Sequence, residues 1–461
     1  MDNGFNINEN GICIIPNGII EIGESAFRGC TSLKSIEMPN SVTKIGESAF
    51  AGCTSLENIV IPSSVTEIGG LAFRGCTSLK SIDIPNNVKK ISESTFYGCT
   101  SLENIVIPNS VTELGGNAFR DCTSLKSIDI PNSVTKIGEY AFNCCRSLKD
   151  IVIPSSVTEI GGFAFWGTIW FNIRRNVMYI NNVLYNCSSY YKYYGGSHLN
   201  IKEGTISISD YAFKGCGSLR SVVIPNGVKI IGRKAFQDCS SLENIVIPHS
   251  VTEIGSGAFD GCKSLRSVVI PNGVKKIEST AFANCISLEN IVIPNSVTEF
   301  GYQTFAGCTS LNDIVIPSGV TEIGFHTFSG CTSLENIVIS NGVNKIGRWA
   351  FCGCTSLKSI DIPNSVTEIG REAFADCKSL ESIIIPNRVI RMGKYVFSGC
   401  ISLKVVHLMA KQVPQVDYGV FDYFNLDGCT LFVPSEAIWA YRHHELFGKF
   451  KNIEIENNNG I

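Results

Sequence analysis

From Leu33 to Leu56 the apolar side chains follow two rhythms in succession. Ile36 and Met38 alternate with Ser35 and Glu37, the period-two signature of a short strand with one buried face. Pro39 has no backbone donor and ends that strand. Val42 and Ile45 predict a second buried, extended segment. Beyond it the spacing changes to Ile45, Ala49, Phe50, Cys53 and Leu56, closer to a helical turn than to a strand. Gly52 is placed to close that turn in a left-handed conformation.

The same pattern returns every 23 residues, with cysteine at 30, 53, 76, 99, 122 and 145 and again from 216 to 400. Between Cys145 and Cys216 one repeat carries Thr168 in the cysteine slot, and about 25 residues are inserted. A period of this length predicts a solenoid, in which each coil buries its apolar face only against its neighbours. Phenylalanine marks every coil, from Phe27 to Phe165 and from Phe213 to Phe397, and reads as a stacked core column. At the Gly52 position eleven of sixteen repeats carry Gly, three carry Asp (Asp121, Asp238, Asp376), one Asn284 and one Cys144. Gly, Asp and Asn are the residues that best tolerate positive φ, so backbone geometry selects them there.

Length and charge then bound the reading. A chain of 461 residues suggests about three domains, but a stack grows in one dimension without a larger core. A net charge of −3 leaves no electrostatic footprint for nucleic acid or anionic membrane. No apolar run approaches the roughly 18 residues that span a bilayer. The opening MDNGFNINENGICIIP has no basic segment followed by an apolar one, so no signal peptide is expected, and a cytoplasmic location stays open. Fifteen of the 20 cysteines share one slot, which predicts a ladder of small, buried, reduced thiols. Disulfides remain the alternative on distance alone. Neither Cys144–Cys145 nor Cys352/Cys354 has a second Cys/His pair at zinc spacing, so no metal site is expected.

The units LENIVIPSSVTEIGGLAFRGCTSL and LKSIDIPNSVTKIGEYAF resemble the BspA-like leucine-rich repeats, a Treponema-type class found in surface proteins of anaerobic bacteria and parasitic protists. The likeness covers residues 12–410, about 16 units. VMYINNVLYNC with LNIKEGTISISDYAFKGC is similar to a hairpin interruption of that family, and CTLFVPSEAIWAYRHHELFGKFKNIEI to its C-terminal cap. The resemblance implies a leucine-rich-repeat-like right-handed coil of short parallel β-strands and short helical turns. It also implies a curved solenoid used for binding, often as an adhesin at the cell surface or after secretion. Its partner would then be an extracellular-matrix or host surface protein. The expected organisation is a first block over 1–168 with an irregular N-terminal coil, an aromatic-rich hairpin insert over 169–192, a second block over 193–410 and a cap over 411–461. A hairpin is expected around Asn181-Asn182.

Function is sought on side chains that point out of the strands. One outward column reads Glu37, Val60, Asp83, Val106, Asp129 and Val152 in the first block. In the second it reads Val223, Val246, Val269, Val292, Val315 and Val338, then Asp361, Ile384 and His407. Six successive outward valines form an apolar strip beside a polar one (Ser221, Asn244, Ser267, Asn290, Asp313, Asn336). Such a strip is either a binding face or a stack that merely satisfies strand preference. Trp170, Tyr190, Tyr191, Tyr193 and Tyr194 in the insert are further binding candidates, against a small hairpin core as the alternative. Lys44, Glu67, Lys90, Glu113, Lys136 and Glu159 alternate in charge from coil to coil and read as a solvated ladder. The six histidines fall at unrelated repeat positions, and no nucleophile, carboxylate pair or phosphate loop stands apart from the periodic background. No catalytic residue and no cofactor is expected.

Overall fold

The computed structural model describes residues 6–172, 179–186, 196–417, 419–421 and 426–456. It divides into two compact units, Met1–Cys187 and Ser188–Ile461. Each is a parallel β-solenoid in which a coil contributes two short strands.

In unit one the first strands pair in register across coils, Cys13 with Ile36 and Ile36 with Ile59. The register offset is the repeat length, so every buried isoleucine lands on its equivalent. The second strands form two parallel sheets, Glu21–Ile22 to Glu67–Ile68 and Lys90–Ile91 to Glu159–Ile160. Unit two repeats this plan. Five first strands from His198–Asn200 to Asn290–Val292 form one sheet, and Ser382–Ile385, Val405–Leu408, Thr430–Val433 and Asn452–Ile455 form its last. Ser435–Ala437 is a short 3-10 turn that leads into the helix Ile438–Arg442, where buried Tyr441 donates its hydroxyl to the Ala410 carbonyl at 2.9 Å.

The segment after the second strand differs from a helical turn. Ser48 and Gly52 are both left-handed, at φ 55° and 77°, and the pair recurs through the stack. Two such residues four apart forbid a continuous i→i−4 ladder. The backbone instead makes tight i→i−3 turns (Cys53 N to Phe50 O, 3.1 Å) and donates to the next coil (Phe50 N to Ala72 O, 2.8 Å; Gly52 N to Arg74 O, 2.7 Å). The Gly52 position is left-handed at Asp121, Asp238, Asn284, Asp376 and also Cys144.

Packing follows the same period. Phe27, Phe50, Phe73 and Phe96 are buried and stack with ring centres 5.3–5.6 Å apart and planes within 4°. The slot cysteines that follow another coil within a block, Cys53 to Cys145 and Cys239 to Cys400, donate their thiols to a phenylalanine carbonyl in the preceding coil, as Cys53 does to Phe27 at 3.0 Å and Cys400 to Phe374 at 3.1 Å. The described cysteines are all free thiols. The slot therefore takes a residue that is small and apolar yet still a weak donor.

Glycine is required where coils touch backbone to backbone. A Cβ on Gly138 would sit 2.4 Å from the Gly116 nitrogen. Ser92 occupies the equivalent position, and there the second-strand sheet is interrupted; its hydroxyl donates to the Ile68 carbonyl at 2.8 Å instead. A second interruption separates Glu299–Phe300 from Glu322–Ile323. Phe300 stands where neighbouring coils have isoleucine and packs edge-on to Phe305 at 5.7 Å. The added volume parts the coils, and a Cβ on Gly324 would find its nearest atom only at 3.8 Å.

Candidate functional site

The strand face of unit two is built by alternation. Ile245, Val268, Ile291, Ile314 and Ile337 point inward and are buried, which turns Val246, Val269, Val292, Val315 and Val338 outward. Val223 completes the column. Exposure along these six runs from 57% at Val338 to 76% at Val246, so each valine gives most of its side chain to solvent. Register holds them in line, Val223 opposite Val246, Val269 opposite Val292 and Val315 opposite Val338. Paired neighbours lie roughly 5 Å apart; between Val292 and Val315 the ladder is interrupted, so the apolar column crosses a seam between two sheets. Asn244, Ser267, Asn290, Asp313 and Asn336 flank it as an exposed polar row, tied at one place by Asn336 Nδ2 donating to Asp313 Oδ1 at 2.7 Å.

Unit one uses the same position differently. Val60, Val106 and Val152 are exposed, but Glu37, Asp83 and Asp129 alternate with them and divide the apolar surface. In unit two the stripe ends at exposed Asp361. Past it, the His407 ring stacks on Phe432 at 5.0 Å while its Nδ1 meets Glu456 Oε2 at 2.5 Å.

The insert places its aromatics in another role. Trp170 is buried with its ring 5.0 Å from Phe165, and the Phe165 amide donates to the buried Tyr185 hydroxyl at 3.1 Å. These two rings cover the last phenylalanine of the unit-one column, so Trp170 is a packing residue and its indole is not offered to a partner. Tyr179–Ile180 and Val183–Leu184 form an antiparallel hairpin around Asn181, whose side chain donates to the Pro154 carbonyl at 2.8 Å. Tyr190, Tyr191, Tyr193 and Tyr194 lie outside the described residues.

The charge ladder takes the form of exposed pairs between adjacent coils, such as Lys90–Glu113 at 3.1 Å and Lys136–Glu159 at 3.2 Å. Among the described residues no group of three His, Cys, Asp or Glu side chains is arranged to hold a metal ion. No helix there is long and apolar enough to cross a membrane. One feature of unit two escaped sequence inspection. At the interrupted sheet a polar cleft of about 490 Å³ opens between Thr298–Tyr302 and Thr321–Gly324, beside a row of aromatic and cationic side chains on the turns. Its only sequence signal is a run of bulky residues (Tyr302, Phe325, His326, Trp349) at turn positions that are small or acidic in the earliest coils.

A family model described as BspA type leucine rich repeat region (6 copies) matches residues 3–126, 112–206, 185–312 and 303–427. Among solved structures, a leucine-rich repeat protein from Bacteroides ovatus is 28% identical, covering 93% of this chain and 97% of its own, at a TM-score of 0.44. A leucine-rich cell surface protein from Faecalibacterium prausnitzii is 26% identical over 87% of this chain and 92% of its own, with a TM-score of 0.29. A Treponema pallidum leucine-rich repeat protein is also 26% identical, over 50% of this chain and 77% of its own, with a TM-score of 0.22. No curated protein matches the chain.

Proposed function

This chain belongs to the BspA-type leucine-rich-repeat family, and from that premise we propose that it is a non-catalytic protein-binding solenoid that docks its partner on the valine column of unit two. The observation that carries this reading is the run of exposed valines on six successive coils, at a position that in unit one alternates apolar with acidic residues. A contiguous exposed apolar stripe with a polar border has the anatomy of an interface centre with its rim. In this reading the protein acts at the cell surface or after secretion as an adhesion module for host or neighbouring-cell proteins. Residues 169–192 form an insert between two repeat blocks, and residues 411–461 cap the second.

The experiment is to replace Val269, Val292 and Val315 together by Lys and to measure binding to a panel of immobilised extracellular-matrix proteins. Loss of binding with an unchanged far-UV circular dichroism spectrum supports the column as the contact surface; retained affinity rejects it. A second reading, an interaction scaffold inside the cell, is favoured by the free cysteines, which suit a reducing compartment. Protease treatment of intact source cells separates the two, because only a surface protein is cleaved.

A further inference from the structure

The turns of unit two carry a second surface, independent of the valine column. Two successive turn positions read Tyr302-Gln303, Phe325-His326, Arg348-Trp349, Arg371-Glu372 and Lys394-Tyr395 over five consecutive coils. At the first of these positions unit one has Glu24, Glu47 and Glu93. In the ladder beside the second strands opposite charges alternate from coil to coil, as Lys136 does with Glu159. Here Arg348, Arg371 and Lys394 follow one another, all exposed, at a rise of roughly 5 Å per coil. Such like-charge stacking opposes the fold unless an anion offsets it. Arg371 Nε reaches Glu372 at 2.7 Å, whereas Arg348 and Lys394 have no carboxylate within salt-bridge distance among the described residues.

These cations stand on a framework of rings. The Arg348 guanidinium lies 3.9 Å from the Trp349 ring centre, and His326 stacks on the same indole at 4.6 Å. Trp349 Nε1 donates to Glu372 Oε2 at 2.5 Å, and Arg371 lies between the Trp349 and Tyr395 rings at 5.8 and 5.6 Å. The rings continue through Phe325, 5.3 Å from Trp349, to Tyr302, 6.1 Å from Phe325. Tyr302 is 66% exposed and stands at the rim of the 490 Å³ cleft, whose walls offer Thr298, Thr321, Glu322 and Glu299, the last paired with Lys276 at 2.9 Å. Cleft and cationic row are thus one continuous surface.

We propose that this flank of unit two binds an anionic glycan, its hydroxyls lodged in the cleft beside Tyr302 and its sulfate or carboxylate groups paired with Arg348, Arg371 and Lys394. The chemistry selects this class over others. Threonine hydroxyls and glutamate carboxylates accept hydrogen bonds from sugar hydroxyls, donors that a deoxyribose-phosphate backbone or a run of carboxylate side chains does not carry. An exposed tyrosine offers a face to a pyranose ring. His326 and Arg348 both pack against Trp349, so that indole is already engaged by the protein's own groups. Guanidinium groups fixed against rings present their planar fork for bidentate pairing with oxyanions.

The test uses the full chain and a fluorescent heparin-derived octasaccharide at physiological salt. Charge reversal at Arg348, Arg371 and Lys394 is expected to weaken binding by about tenfold or more, and Tyr302→Ala by a smaller factor. Reversal of Lys80 and Lys358, exposed cations elsewhere on the solenoid, is expected to leave it unchanged. If the triple variant melts early, the milder pair Arg348→Gln and Lys394→Gln replaces it, since both side chains are exposed. Three results overturn the proposal: the cation variants bind like the parent, the Lys80/Lys358 control loses as much, or an oligo-dT or polyglutamate probe binds more tightly than the octasaccharide. An unchanged Tyr302→Ala variant overturns the role of the cleft.

Discussion

One phenylalanine and one cysteine per coil form buried columns that run from coil to coil. Phe259 touches Phe236 and Phe282 with ring centres 5.3 and 5.2 Å away, and all three are buried. Phe259→Ala is expected to cost roughly 3–5 kcal/mol in chemical denaturation, because the cavity opens between rigid neighbours. The cysteines report on pH. Burial pushes the thiols of Cys53, Cys99 and Cys308 from an ordinary 9.0 up to about 12. Above about pH 9 the unfolded chain releases protons that the folded chain keeps, so stability is full below that value and falls as pH rises toward about 12. Urea midpoints measured across this window should decline with pH, and Cys99→Ala should decline less steeply; a flat profile contradicts the buried thiol column. This ladder also explains a residue choice that volume alone leaves open. Alanine fills a narrow slot but leaves the phenylalanine carbonyl without a donor, and serine donates but costs more to bury; cysteine is apolar and still a weak donor.

Among elements, the decisive contact is backbone against backbone. The Gly138 position tolerates no side chain because the Gly116 nitrogen lies where a Cβ would stand. Gly138→Ala is expected to destabilise by about 1–3 kcal/mol, with a lower thermal midpoint as the readout. The protein performs this substitution on itself at Ser92, Ser209 and Glu278. At Ser92 the second-strand sheet breaks, and at Glu278 the pairing with the preceding strand shrinks to Ile254 opposite Ile277. Phe300 opens a similar seam from the other side, through bulk in the core. Interruptions in a repeat are thus the places where surface chemistry can depart from the average coil.

For the whole molecule, a stack of near-equivalent coils has no central core to lose. Excising the 23 residues Cys239–Gly261 joins a coil to an equivalent coil with its register intact. The shortened protein is expected to remain folded, with a cooperative melt and an unchanged circular dichroism shape. Removing ten residues inside that coil breaks every column at once and should abolish the melt. Equal damage from both deletions contradicts nearest-neighbour stabilisation.

Periodicity is local information repeated many times, and for that reason the solenoid, the buried columns and the left-handed Gly52 position were legible in the sequence. So was the valine column, since alternation along a strand assigns each side chain to a face. The apolar spacing of the turn after the second strand matches a helical turn, but it does not reveal the positive φ that Ser48 and its counterparts Leu71, Phe163, Lys234 and Trp349 carry. No residue preference marks that position; the hydrogen bonds it gains from the next coil impose the conformation. Trp170 likewise read as a candidate binding aromatic until its neighbours were known, and burial against Phe165 decided otherwise. The cleft beside Tyr302 exists only where two coils separate. Side-chain volume in one coil and backbone approach from another set that distance, and neither is a property of any single stretch of chain.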